Sequence, residues 1–402
     1  MPPAITARMA STPEMLACFD DAALVRAALA FERELAAVLA DHQVISGPAA
    51  AAIARACDGF DPTGLGDAAA HAGTLAIPLV ARLRAAVGPT HAAAVHLGAT
   101  SQDVADTAMV LQIAQAMPLV TRDLDGLADT LARLARDHAA TPALGRTLLQ
   151  PAELVSFGMR AANWMLGLDA AGARLAREHR AASQLQLGGA VGSLAGLGAV
   201  GPAVRQELAA RLGLVAGPAW HSRRDAIAGL GAALGIAIGA TGKLARDVSL
   251  LMQRELAELA EPAIAGRGGS SAMPHKRNPT GCQVALSAAI RAPGLVAALL
   301  GGLPQELERG LGGWQAEAPV VAELFALAHG AVHAMRVVAE GLEVDAAAIS
   351  GHAPAGGDRQ AALDAAARFV DEALALHDAV VAQRGAPSAP AGPREPSGAG
   401  GR

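Results

Sequence analysis

Tyrosine is absent from this chain of 402 residues, and the other aromatic residues amount to six Phe and three Trp. Aromatic residues enrich sheets, so their scarcity beside an apolar fraction of 52% points to a large helical protein rich in Ala and Leu. No phenol is available for proton transfer. Cysteine is scarce as well: Cys18, Cys57 and Cys282 are odd in number, far apart and free of any CxxC pattern. They read as small buried hydrophobes in a reducing compartment, neither disulfides nor zinc ligands. A net charge of −5 without a run of five or six like charges leaves no footprint for nucleic acid. The N-terminal MPPAITARMASTPEML has no continuous apolar core before a cleavage site, so it does not read as a secretory signal. The expected compartment is the cytoplasm.

Long uncharged runs are also few. One strongly apolar uncharged run, 17 residues between Asp225 and Lys243, lies near the lower limit for spanning a bilayer. It carries Gly229, Gly231, Gly235, Gly239 and Gly242, and small residues at spacing four fit close helix–helix packing. A buried bundle helix is the expectation, with no membrane partner.

Helical periodicity dominates what is present. Thr12 before Pro13 reads as an N-cap with proline at the first helical position. Leu24, Ala28, Phe31, Leu35 and Leu39 then recur at three and four, predicting a helix from Asp20 to about Ala40. Longer patterns follow over roughly Val104–Ala139, Pro151–Ala181, Asp225–Ala260, Pro279–Gly301 and Glu317–Glu340. No strand-alternating segment of useful length is read among them. A further helix is expected near Gln360–Ala382. The Pro/Gly/Ala-rich end, residues 385–402, reads as a disordered tail.

Polar residues and glycines between helices are the places to seek chemistry. His96-Leu97-Gly98-Ala99-Thr100-Ser101-Gln102-Asp103 offers hydroxyls and amides at a helix start, which suits a carboxylate as well as a plain cap. Gly145-Arg146-Thr147-Leu148-Leu149-Gln150 precedes Pro151 and reads as a helix entrance able to bind an anion or to satisfy orphan amides. The third stretch runs from Gly266 to Pro279, with mobile glycines, Ser270 and Ser271, then His275, Lys276 and Arg277. It lacks the GxxxxGK[ST] spacing of a P-loop. Asn278-Pro279 reads as the cap and first turn of the next helix.

GGSSAMPHKRNP resembles the signature loop of the fumarase/aspartase superfamily, GSSxMPxKxN, at every fixed position: Gly269, Ser270, Ser271, Met273, Pro274, Lys276 and Asn278. The superfamily's two other regions are similar to Thr100–Thr107 and Gly145–Gln150, and all three occur in the right order. The resemblance implies an all-α, fumarase/aspartase-like fold. Its parts would be an N-terminal helical domain over 1–103, a central long-helix bundle over 104–344 carrying the loop 266–279, and a short C-terminal helical segment over 345–384. It further implies a homotetramer whose active sites are shared between subunits.

The stretches VHLGATSQDVADTA, QLGGAVGSLAGLG, AWHSRRD and PQELERGLGGWQAE resemble a lactone-forming cycloisomerase branch of that superfamily. Adenylosuccinate lyase shares AMPHKRNP, so the loop alone does not separate the two. Position 148 does. Lyases that expel hydroxide or an amine usually carry His there, because a basic leaving group benefits from a general acid. Leu148 has no proton to donate, whereas a departing carboxylate, with a pKa of about 4, needs none. A catalytically silent helical scaffold is the remaining alternative, against which the intact Ser270, Lys276 and Asn278 argue.

The resemblance assigns proton transfer to Ser270, supported by Lys276. Thr100, Ser101, Thr147, Gln150 and Asn278 match positions that contact substrate carboxylates, so the expected partner is a small tricarboxylate. Arg224 and Arg309 are added because a guanidinium suits a carboxylate, although either would equally serve a structural ion pair. His96 and His275 join them by proximity to the motifs. No metal-ligand cluster or dinucleotide fingerprint is read, so no cofactor is expected.

Overall fold

The computed structural model describes residues 5–269, 273 and 276–384. Six helices precede the bundle: α1 (Ile5–Ala10), α2 (Pro13–Cys18), α3 (Asp21–Asp41), α4 (Gly47–Asp58), α5 (Leu65–Ala72) and α6 (Ala76–Val87). Thr12 caps α2 by accepting the Met15 N–H, with Pro13 in the first turn. The apolar stripe of α3 buries Phe31, Leu35 and Leu39.

The bundle consists of α7 (Ser101–Asp137), α8 (Phe157–Ala182), α10 (Asp225–Leu251), α11 (Thr280–Gly301) and α12 (Glu317–Glu340), with α9 (Gly201–Arg211) on the connection before α10. A cluster of buried Ala, Leu, Val and Ile, with Phe157 and Phe325, fills its interior. The glycine stripe of α10 performs the predicted packing. A Cβ at Gly231 would lie 2.2 Å from Leu299 of α11, and one at Gly242 would lie 2.8 Å from Ala289 Cβ. These contacts run α10 and α11 antiparallel, Gly231 near the end of α11 and Gly242 nearer its middle. By length and hydropathy α7, α10, α11 and the helical stretch Trp314–Glu340 would each suffice to cross a bilayer. Within the chain, 61% of the apolar window of α10 is buried, against 22% for α11.

Two expected helix bounds are corrected. Residues expected to begin a helix at Pro151 instead form strand β2 (Gln150–Ser156), antiparallel to β1 (Pro142–Thr147). Its inward residues Leu154 and Ser156 flank the half-buried Val155, and Ser156 caps α8 by accepting the Met159 N–H. The helix expected to reach Ala260 ends at Leu251. The chain then turns so that Leu259–Ala260 (β3) pairs with Glu343–Val344 (β4). That turn places the buried Glu258 where Arg146 Nη2 (2.6 Å) and His352 Nδ1 (3.1 Å) meet its Oε1. Helix α13 (Ala346–Gly351) follows, and α14 (Arg359–Gln383) packs on α8 and β2.

Candidate active site

The bundle has two differently built ends. At one, α7, α10 and α12 begin together, and a buried charge network joins them. Arg224, immediately before α10, is fully buried. Its Nη1 and Nη2 donate to Asp106 of α7 at 2.8 Å each, and its Nε donates to Glu317 of α12 at 2.9 Å. The guanidinium stacks 4.5 Å above the Trp220 ring. Burial opposes its charge, but the two carboxylates outweigh that and hold its pKa above the ordinary arginine value. Arg224 thus sits in a buried triad with Asp106 and Glu317, the structural ion pair that was the alternative to a substrate contact.

The same end carries the first motif. Asp103, fully buried, gathers four donors. Thr100 N (2.9 Å) and Gly189 N (2.9 Å) donate to Oδ2; Gly188 N (3.0 Å) donates to Oδ1, which also meets His221 Nε2 at 2.8 Å. One carboxylate therefore fixes the start of α7, the glycine loop after α8 and the AWHSRRD turn. Arg309 reaches into this corner from the loop between α11 and α12. Its Nη2 donates to Thr100 Oγ1 at 2.7 Å and to the Ala190 carbonyl at 3.0 Å, while its Nε is buried without a partner. Ser101 opens α7 beside them. His96 has a positive φ of 65°, and its Nδ1 lies 2.5 Å from Oε1 of the buried Glu32, so one ring nitrogen is committed to the N-terminal helices.

The second and third motifs lie at the opposite end. Helix α7, with 37 residues, is roughly 55 Å long, and the β1–β2 hairpin follows its far terminus. The motif Gly145–Gln150 is thus a hairpin, where a helix entrance was expected. Thr147 and Gln150 pair across its tip, and Leu148 and Leu149 form the turn with φ of 51° and 64°. Left-handed backbone costs a leucine about 1–2 kcal/mol, and these two are 96% and 74% exposed. Strained, uncovered apolar residues between two exposed polar ones mark a surface built to meet something.

The signature loop sits at this end as well. Ser270 and His275 lie outside the described residues. Gly268 (φ 71°) accepts the Asn278 N–H at 2.8 Å, closing the loop; a Cβ there would meet the Asn278 carbonyl at 2.7 Å. Lys276 is exposed, and Asn278 Nδ2 donates to the Gly269 carbonyl at 3.3 Å. Helix α11 begins at Thr280, one residue later than expected, because the buried Glu261 accepts the Gly281 and Cys282 N–H groups at 3.0 and 2.9 Å. A groove of about 710 Å³, lined by Gly269, Asn278, Thr280, Gln283 and Arg291 among others, opens along α11. Of the three cysteines, Cys57 and Cys282 are buried and Cys18 partly so, all free. Burial pushes the Cys57 thiol up to about 12.

Sequence reasoning took Asp103 only as a possible helix cap, which its bond from Thr100 N fits, and missed Asp106, His221, Glu317 and the Glu258 and Glu261 carboxylates. Asp103, Asp106, His221 and Glu317 stand inside stretches used above for the resemblance, but nothing local discloses their distant partners.

A long antiparallel helical bundle, polar motifs at both ends and a hairpin carrying the second of them define an all-α lyase of the fumarase/aspartase superfamily. A family model described as "Lyase" matches residues 9–294, and the chain belongs to that family. The chain is 46% identical over 338 residues to the 3-carboxy-cis,cis-muconate cycloisomerase of Pseudomonas aeruginosa, covering 83% of this chain and 74% of that one. It is 40% identical over 353 residues to the nitrosuccinate lyase of Streptomyces davaonensis, covering 84% and 74%. The crystal structure of 3-carboxy-cis,cis-muconate lactonizing enzyme from Pseudomonas putida superposes with a TM-score of 0.83 at 39% identity, over 94% of this chain and 90% of that one.

Proposed function

We propose that this chain is a cytoplasmic cycloisomerase that interconverts 3-carboxy-cis,cis-muconate and 4-carboxymuconolactone in protocatechuate breakdown. One substrate carboxylate adds to the activated double bond. Negative charge develops on a second carboxylate as an enediolate-like species, and a proton is delivered to carbon. Ser270 carries that proton, and Lys276 with the loop amides stabilises its alkoxide, since a hydroxyl is too weak an acid or base unaided. Thr100, Ser101, Thr147, Gln150, Asn278 and Arg309 hold the carboxylates, with His96 and His275 at the margin. No metal or organic cofactor takes part.

Leu148 carries the reading. At the exposed tip between Thr147 and Gln150 stands a side chain with no proton to give, which a carboxylate leaving group tolerates and a basic one does not. The relatives favour the same choice, and the nitrosuccinate lyase likeness makes that substrate the comparison to run.

The working enzyme is a homotetramer with shared sites. Thr100 and Arg309 lie at one end of a helix roughly 55 Å long and Thr147, Gln150, Lys276 and Asn278 at the other, so a single chain does not bring them around one small molecule. Packing of copies supplies the missing ends and covers α11. The test is an absorbance assay with 3-carboxy-cis,cis-muconate beside adenylosuccinate and nitrosuccinate. Loss of diene absorbance with the first alone is expected. Turnover of either other substrate without the first would overturn the reading.

A further inference from the structure

Between the two ends, the bundle holds a cluster that the proposed reaction does not use. Asp123 of α7 is fully buried and faces His329 and His333, one turn apart on α12. His333 Nδ1 lies 2.8 Å from Asp123 Oδ2. His329 Nε2 lies 3.2 Å from the same oxygen, but without hydrogen-bond alignment, so a buried ring nitrogen has no hydrogen-bond partner. The other nitrogen of that ring, Nδ1, is 3.2 Å from Thr12 Oγ1. Arg122 Nε donates to the second carboxylate oxygen, Oδ1, at 2.9 Å.

We infer that Asp123, His329 and His333 form a site for a divalent cation of the zinc type, with water completing the coordination. The three donor atoms lie within 4.8 Å of one another. Two metal bonds of about 2.0–2.1 Å, opened to a tetrahedral angle, set donors roughly 3.3 Å apart. The separations of 3.2 and 2.8 Å to Oδ2 lie close to that figure, and the two histidine nitrogens, within 4.8 Å of each other, adjust to meet it.

Histidine and carboxylate are the ligands such an ion takes at open sites, and outer partners orient them here as they do elsewhere: Thr12 behind His329, Arg122 behind the carboxylate. His333 has a side chain 38% exposed, which gives the ion and its water a route from solvent. Arg122 and Arg336 (Nε 3.7 Å from Oδ1) face the carboxylate's other oxygen. Their charge weakens cation binding, so an affinity on the order of micromolar is expected, below that of dedicated structural zinc sites. Asp123 stands 17 positions beyond Asp106, roughly 25 Å along α7. The ion would therefore staple α7, α12 and the cap of α2, outside the catalytic centre. Sequence patterns hid the cluster because its carboxylate and histidines are about two hundred positions apart.

The full-length protein, stripped with a chelator, is titrated with Co²⁺ and then Zn²⁺. One equivalent of Co²⁺ per chain with tetrahedral d–d absorption, discharged by Zn²⁺, is expected. His333→Ala should weaken binding at least tenfold and Thr12→Val about tenfold. His333→Leu gives the same reading if the alanine variant does not fold. Absence of the band, or an unchanged affinity in the His333 variants, overturns the site.

Discussion

The two ends of the bundle are built on opposite principles. Where α7, α10 and α12 begin, buried charged residues hold one another: Asp103 accepts from three segments and Arg224 donates to both Asp106 and Glu317. At the other end, polar and apolar residues stand exposed on a hairpin tip and a glycine loop, and the buried carboxylates Glu258 and Glu261 fasten only their bases. The first end is a finished wall that needs no partner to hold its shape. The second is a set of groups presented outward. The shared site proposed above would use both: one rigid half to fix carboxylates, and one projecting half that reaches a neighbour.

That contrast can be broken by mutation. Ser270→Ala, in the signature loop, should lower kcat on the order of 10²–10⁴-fold while leaving the oligomeric state unchanged; near-normal turnover in a steady-state assay would remove Ser270 from its role. Arg224→Met, in the finished wall, should cost about 3–5 kcal/mol of stability, because the buried Asp106 and Glu317 lose their counter-charge; chemical denaturation reads this directly. Arg309→Ala should cost about 1.5–3 kcal/mol of substrate binding, seen mainly as a higher KM, with a thermal midpoint close to that of the parent. Leu148→His should change chain stability by less than about 0.5 kcal/mol, since the residue is 96% exposed, and should bring no gain in lactone turnover.

The sequence disclosed each end to a different degree. Helices with an uninterrupted 3.6-residue stripe were legible nearly to the residue: α3, α12 and α14 lie within one or two positions of their expected bounds. The signature loop and its companions were legible because their residue types are fixed by chemistry. The hairpin was not, since Pro151 after a polar cluster reads as a helix start, and a leucine pair is a poor turn signal against Asn-Gly. Arg224 shows the deeper limit. Its partners lie 118 and 93 positions away, so whether the guanidinium met substrate or carboxylates was decided by tertiary packing alone.

Mixing two crippled forms tests the shared site most directly. A Thr100→Ala, Arg309→Ala double variant damages only the finished end, and Ser270→Ala removes the proposed proton carrier. Dissociated and reassembled together, the two should yield tetramers in which some sites combine one intact half from each parent, with turnover well above the sum of the separate preparations. Turnover equal to that sum, from tetramers shown to contain both variants, would contradict a site built from opposite ends of different copies.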